Sequence, residues 1–231
     1  MRAPFTAIEA LAFMREIDTR FQNPKKYTDE FLINRVGNQG FYNVAAYGDI
    51  FADQEVVDLN EYITSGEENL VLQVEEDVRC IYQFAYSNQP IPKYDYISNK
   101  GELTVGGKLY AYADTQKNDI IHVRMNEGLV VEDGDTNNLV ISYFYTPSWT
   151  AVYLPDGSLD ITQYTPTIYM DAGALSVYKQ GMTTAGYMML KDDSQMKFHD
   201  DKLRLVVDKY ASSYPEDFRY EARMNGFPAG I

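Results

Sequence analysis

The chain reads as an α+β protein, a helical unit from both chain ends with an inserted antiparallel β-sandwich or small barrel. Three observations predict this. Apolar residues recur at helical spacing near the N-terminus and again over residues 165–214. Between these stretches the period falls to two, with turn residues roughly every ten positions. The strands also lie in one block rather than alternating with helices, which argues against a doubly wound nucleotide-binding fold. The expected division is an N-terminal helical part over 1–66, a β insertion over 67–163, a C-terminal helical pair over 164–214 and a tail over 215–231.

Thr6 is expected to start the first helix. Thr6 and Glu9 have capping-box spacing, and Phe5 is placed to staple the helix entry. Ile8, Leu11, Met14, Ile17 and Phe21 supply one apolar face, and Asn23-Pro24 stops the run. Thr28 caps a second helix with Asp29 and Glu30 in its first turn, where the helix dipole favours anions. Phe31, Leu32 and Val36 continue that helix until Gly37 and Gly40 weaken it. Residues 41–50 are ambiguous, and 54–62 fit either a short strand or a helical turn.

From Asn69 the alternation begins. Leu70, Leu72 and Val74 form one strand face, and Val78, Cys80, Tyr82, Phe84 and Tyr86 occupy one side of the next strand. Gly106-Gly107 and Asn126-Glu127-Gly128 read as hairpin turns around the strands at 103–105, 109–112, 119–125 and 129–132. Leu139–Tyr145 is a further strand, and Pro155-Asp156-Gly157 turns the chain between 151–154 and 158–163. About seven or eight short strands in this pattern suit a sandwich or small barrel.

Thr165-Pro166 reads as the start of the C-terminal helical pair, with Ile168, Ala172, Leu175, Tyr178 and Met182 on one face. Asp192, Asp193 or Ser194 caps a second helix that carries Met196, Leu203, Val206 and Tyr210 and ends at Ser212-Ser213. Gly173, Gly181 and Gly186 are unusual here, because each costs a helix about 1 kcal/mol relative to alanine. Either the stretch breaks near Gly181 or another helix approaches closely. The tail from Glu216 has aromatic residues but no clear period, and it either folds on its own domain or docks on a neighbour.

A chain of 231 residues with 45% hydrophobic and 23% charged residues can bury a real core and is not expected to be disordered. No apolar run is long enough for a membrane helix, and the N-terminus lacks signal-peptide character. The single cysteine, Cys80, excludes an intrachain disulfide framework and fits a reducing compartment. These features lead us to expect a soluble, non-secreted protein. The net charge of −14 opposes tight binding of nucleic-acid phosphates. It suits either solubility alone or a wall past which a polyanion slides.

No catalytic signature is present, and no catalytic residue, metal site or cofactor is expected. Asp133, Asp135 and Asn137 match the first three ligands of a calcium-binding loop, but Asn138 replaces the required glycine and Phe144 the final glutamate. A solvated turn accounts for them better, as it does for Glu75-Glu76-Asp77. His122 lies in an alternating strand as an ordinary sheet-face residue. His199-Asp200-Asp201 sits on a helix, where consecutive residues do not face one another. Cys80 reads as a buried, inert thiol. No nucleophile elbow and no phosphate-binding glycine loop occurs. An enzyme would need a site dispersed around His122 or His199.

Twenty tyrosines form the strongest compositional bias, concentrated in the β block. Tyrosine suits both core packing and interfaces, where its apolar ring ends in a polar tip. Tyr110, Tyr112, Tyr143 and Tyr145 in the β block, with Phe218, Tyr220 and Phe227 in the tail, are candidate interface residues. The same rings could stack on sugars. The alternative reading is therefore a β binding module for carbohydrate or a host-surface ligand.

The capped helix from Thr6 to Phe21, the β block and the returning helices at 165–190 and 194–212 together resemble head-to-tail connector proteins of tailed phages. These are the adaptors, tail-tube gatekeepers and ring proteins below the portal. The acidic, Tyr- and Asn-rich character is similar to structural proteins of crAss-like short-tailed phages. The resemblance is architectural and carries over no individual site residue. It implies a virion protein of the neck or tail, made in the host cytoplasm and assembled as a cyclic homo-oligomer, a dodecamer. Its partners would be the portal and neighbouring tail or ring proteins, with DNA only passing through the channel.

Overall fold

The computed structural model describes residues 3–74, 77–86, 89–91, 109–113, 117, 119–125, 137–155, 160 and 168–213. The chain opens with strand β1 (Ala3–Phe5), helix α1 (Ala7–Ile17), a 3-10 turn (Thr19–Gln22) and α2 (Asp29–Leu32). A π-helical segment (Ile33–Gly37) leads straight into α3 (Asn38–Ala45). Next come β2 (Ala52–Asp58), α4 (Asn60–Ser65), β3 (Asn69–Gln73), β4 (Val78–Tyr86) and β5 (Gln89–Ile91). They are followed by β6 (Leu109–Ala113), β7 (Ile120–Met125) and β8 (Asn138–Tyr145). The described chain closes with β9 (Ile168–Met170), α5 (Ala172–Met189) and α6 (Asp193–Ala211). The fold is α+β, and every described strand pair is antiparallel.

Of the described residues, those up to Phe51 and from Thr146 onward form one compact unit, and Ala52–Tyr145 form another. The β-rich unit therefore begins and ends earlier than the 67–163 read from the sequence. At its start, β2 pairs along its whole length with β8, from Ala52 opposite Phe144 to Asp58 opposite Asn138. At its end, residues 151–154 form no strand and show only an isolated bridge at Tyr153, close to another at Thr150.

In the helical unit the Thr6 capping box is complete. The Thr6 hydroxyl accepts from the Glu9 amide at 3.3 Å, and the Glu9 carboxylate accepts from the Thr6 amide at 2.8 Å. The buried face of α1 differs from the expected one: Ala7, Ala10 and Met14 are inside, while Ile8 is 48% exposed. Thr28 caps α2 as expected. Helix then runs without interruption to Ala45, through the glycines expected to weaken it.

The C-terminal pair starts later than the sequence suggested. Ile168 is in a strand, not a helix, because Ile168–Met170 pairs with the N-terminal strand, Phe5 opposite Ile168. Helix α5 is capped by Asp171, whose carboxylate accepts from the Ala174 amide at 2.9 Å; Thr165-Pro166 lies outside the described residues. No break occurs at Gly181. Ala174, Val177, Tyr178, Gly181, Met182 and Ala185 form one continuous buried stripe at the i, i+3, i+4 spacing of a core-facing helix. Gly181 faces Gly40 of α3, and this pair of glycines lets the two backbones approach.

An aromatic cluster fills the centre. Tyr178 stacks on Phe41 with centroids 3.8 Å apart and meets Phe5, Phe51 and Trp149 edge-on. Its hydroxyl donates to the Gly37 carbonyl at 3.0 Å, at the C-terminal end of the π segment. Complete burial pushes that hydroxyl's pKa well above the usual tyrosine value. Asn38 fixes Trp149 by accepting from its backbone amide at 2.8 Å and donating to its carbonyl at 2.9 Å.

Between α5 and α6 the chain turns through a Schellman motif. The Asp192 amide bonds the Tyr187 carbonyl, the Lys191 amide bonds the Met188 carbonyl, and Lys191 sits at φ 54°. Asp192 then caps α6, accepting from the Gln195 amide.

The β-rich unit contains two sheets, of order β2-β8-β4-β5 and β3-β7-β6, and among the described residues neither closes into a barrel. β8 is central and covered on both sides, with Leu139 and every residue from Ile141 to Tyr145 buried. β4 departs from simple alternation. Register shifts at Val78/Cys80 and Ile81/Gln83 leave Ile81 and Tyr82 both buried and put the half-buried Cys80 off the face of Val78. Asn137, at the entry to β8, accepts from the Tyr86 hydroxyl and donates to Asn60 at 2.8 Å, while its carbonyl accepts from the Leu59 amide. Gly66 ends α4 at φ 73°, the left-handed conformation that glycine takes without strain.

Candidate functional site

The residues singled out from the sequence do not converge on one place. Tyr143 and Tyr145, expected at an interface, are buried at 4% and 7% exposure, because β8 is the interior strand of its sheet. Tyr110 and Tyr112 lie on β6 opposite Arg124 and His122. Phe218, Tyr220 and Phe227 are outside the described residues, as are Asp133, Asp135, Glu75 and Glu76. Asn137, the third residue of the calcium-loop pattern, spends its side chain on Tyr86 and Asn60. Among the described residues no cluster of histidine, cysteine and carboxylates could hold a metal ion.

The two histidines occupy different settings. His122 is half-buried on β7 between Ile121 and Val123, which both point inward, as the alternation predicts. His199 on α6 stacks against Tyr187 with centroids 5.0 Å apart, and its Nδ1 lies 3.0 Å from the Gln180 amide nitrogen. Burial, then the charge of Lys202, lowers its pKa. The neighbouring Asp200 does not serve it; that carboxylate accepts from the Tyr47 hydroxyl at 2.6 Å. The arrangement holds α6 on α5 and supplies no relay. Cys80, expected to be buried, is half-buried where the bulges twist β4.

Much of the tyrosine excess is structural. Tyr47, Tyr153 and Tyr210 donate to Asp200, Glu30 and Asp171 at 2.6–2.7 Å, joining segments far apart in sequence. Tyr178 and Tyr187 reach the carbonyls of Gly37 and Ile17, and Tyr86 reaches Asn137. The hydrogen bond to Asp200, reinforced by desolvation, pushes the Tyr47 pKa up to about 12. Spacing alone could not reveal these struts, since each pairs a ring with an acceptor at least 39 residues distant.

What the helical unit does present is exposed apolar area. Tyr42 on α3, Tyr169 on β9, Phe198 and Leu205 on α6, and the Tyr153-Leu154 segment all face solvent. Phe198 and Leu205 could have been singled out, because they lie off the face that α6 was expected to bury. Among the described residues no helix is long and apolar enough to cross a membrane. No known protein family matches the chain, and no curated protein matches it either.

Proposed function

We propose that this chain is a structural virion protein, the subunit of a closed ring in the neck or tail of a tailed phage that connects portal to tail around the DNA channel. The observation that most supports this is the helical unit closed by both ends of the chain. β1 zips onto β9, Phe5 enters the aromatic cluster, and the β-rich unit is inserted between α3 and β9. That is the arrangement for which the sequence resembles head-to-tail connectors. Two further properties suit the role. A net charge of −14 gives a lumen that does not hold phosphate. Exposed apolar side chains of the helical unit outside α6, Tyr42, Tyr169 and Leu154 among them, offer material for the side-to-side interfaces that a ring needs. In this reading the protein catalyses nothing, and its partners are its own copies, the portal and the adjacent tail proteins.

Negative-stain imaging of the purified protein, alone and mixed with portal from the same source, tests it. Closed rings or a defined collar, dodecameric by the connector analogy, are expected. Dispersed particles in every mixture would overturn the proposal.

A further inference from the structure

Helix α6 has two large apolar residues on the side away from α5, flanking a charged pair. It packs inward through Leu203 and Val207, yet Phe198 and Leu205 are 61% and 69% exposed. They lie seven residues apart, two helical turns along one face, with exposed Asp201 and Lys202 between them. Two large apolar groups one heptad apart on a solvent face offer a pair of anchors for another helix. The charge pattern says which helix. The chain as a whole carries −14, but α6 has four acidic residues (Asp193, Asp200, Asp201 and Asp208) and four basic ones (Lys197, Lys202, Arg204 and Lys209). It is thus a locally neutral element on which two acidic molecules can meet without general repulsion.

The pattern is also self-complementary in one direction. If two copies of α6 lie antiparallel and cross between residues 201 and 202, Phe198 of each falls opposite Leu205 of the other. Asp201 falls opposite Lys202, and Gln195 opposite Asp208. A parallel pairing would instead set Asp201, Lys202 and Asp208 each against its own like charge.

We infer that the outward face of α6 is a homodimer contact, in which it packs antiparallel on α6 of a second copy about a two-fold axis centred between residues 201 and 202. The contact is isologous, so it differs from the heterologous contacts that close a ring, and it forms whether or not rings do.

Sedimentation velocity on the full chain, over about 1 to 200 µM, reads the dimer directly. Phe198→Lys and Leu205→Lys each weaken dimerisation about tenfold or more. Both leave helix content unchanged by circular dichroism, since lysine is a good helix former at an exposed site. Asp201→Lys weakens the dimer by placing lysine against Lys202, and the double change Asp201→Lys with Lys202→Asp restores it. A mixture of Phe198→Cys and Leu205→Cys chains, each with Cys80→Ser, forms a disulfide-linked heterodimer faster than either variant links to itself. A monomer throughout the range would overturn the inference, whether the face is covered by the chain's own tail or by another protein. So would a dimer indifferent to these substitutions, a charge swap that fails to rescue, or preferential linkage of position 198 to itself. Because the proposed ring is read by imaging with portal, the dimer and the ring can fail separately.

Discussion

Two glycines on one helix should respond in opposite ways to the same substitution. A methyl group at Gly181 would lie 2.5 Å from the Gly40 carbonyl oxygen and 2.8 Å from Val44 Cγ2. One at Gly186 would lie 3.1 Å from Phe21 Cε2 and 3.3 Å from Ile17 Cγ2. Both changes to alanine bring the same gain in helix propensity, about 1 kcal/mol. At 186 the neighbours are side-chain atoms that can yield by a few tenths of an ångström, so Gly186→Ala should leave stability unchanged or raise it by up to about 1 kcal/mol.

At 181 the nearest neighbour is backbone, and α3 must retreat by about 0.5 Å even to reach 3.0 Å. A gap of that size forfeits roughly a quarter of the contact energy along the crossing, where Phe41 stacks on Tyr178. Overpacking of this kind costs about 1–3 kcal/mol. Set against the propensity gain, Gly181→Ala should destabilise by up to about 2 kcal/mol, leaving the two variants about 1.5 kcal/mol apart at the middle of these ranges. Urea unfolding followed by Trp149 fluorescence measures this, because the chain's single tryptophan is buried in the helical unit. Finding Gly181→Ala as stable as Gly186→Ala would refute the close approach of α3 and α5.

Two further outcomes follow from the helical pair. Lys191 holds the left-handed position that a Schellman turn usually gives to glycine, so Lys191→Gly should stabilise by about 0.5–1 kcal/mol in the same unfolding assay, and a loss would show the turn to be built otherwise. His199 is pushed below its ordinary pKa by burial, so its neutral form is favoured in the folded state. Its contribution is present above the unfolded value near 6.5 and is lost as pH falls through the folded value. The stability advantage of the native chain over His199→Gln should therefore shrink below about pH 6.5, and a difference constant from pH 8 to 5 would count against this.

The parts of this fold that could be read from the sequence are those determined within a few residues. Thr6 and Glu9 cap one another three positions apart, Thr28 caps α2, and Asp192 caps α6, all as local chemistry predicts. Local pattern fails where distant partners decide. Ile168 has the spacing to join the helix, but pairing with β1 draws it into a strand and moves the cap to Asp171. On α1 the larger Ile8 looked like core, whereas Ala7 and Ala10 are the residues buried. The bulges in β4 are invisible to a period-two reading and move Cys80 off the face that Val78 and Phe84 share. Candidate function was harder still. Tyr143 and Tyr145 look the same in sequence whether a strand is at an edge or in the middle, and only the strand order places them inside. Phe198 and Leu205 carry no signal of their own in the sequence beyond lying off the inward stripe of α6, which is sufficient to explain the helix.

The pairing of Ala52 with Phe144 has a consequence for how such a chain could have arisen and how it can be rebuilt. The β-rich unit enters and leaves through adjacent strands, so its two ends stand only about 5 Å apart. Holding the ends of a flexible loop of roughly ninety residues together would cost on the order of 4 kcal/mol in chain entropy. The β2–β8 ladder meets that cost inside the insert, and the helical unit is left with a gap that a tight turn could bridge. The helical unit is thus a socket, and the sheets are a graft with its own clasp. Replacing residues 52–145 with a two-residue turn, or with any foreign domain whose termini are neighbours, should leave the socket able to fold.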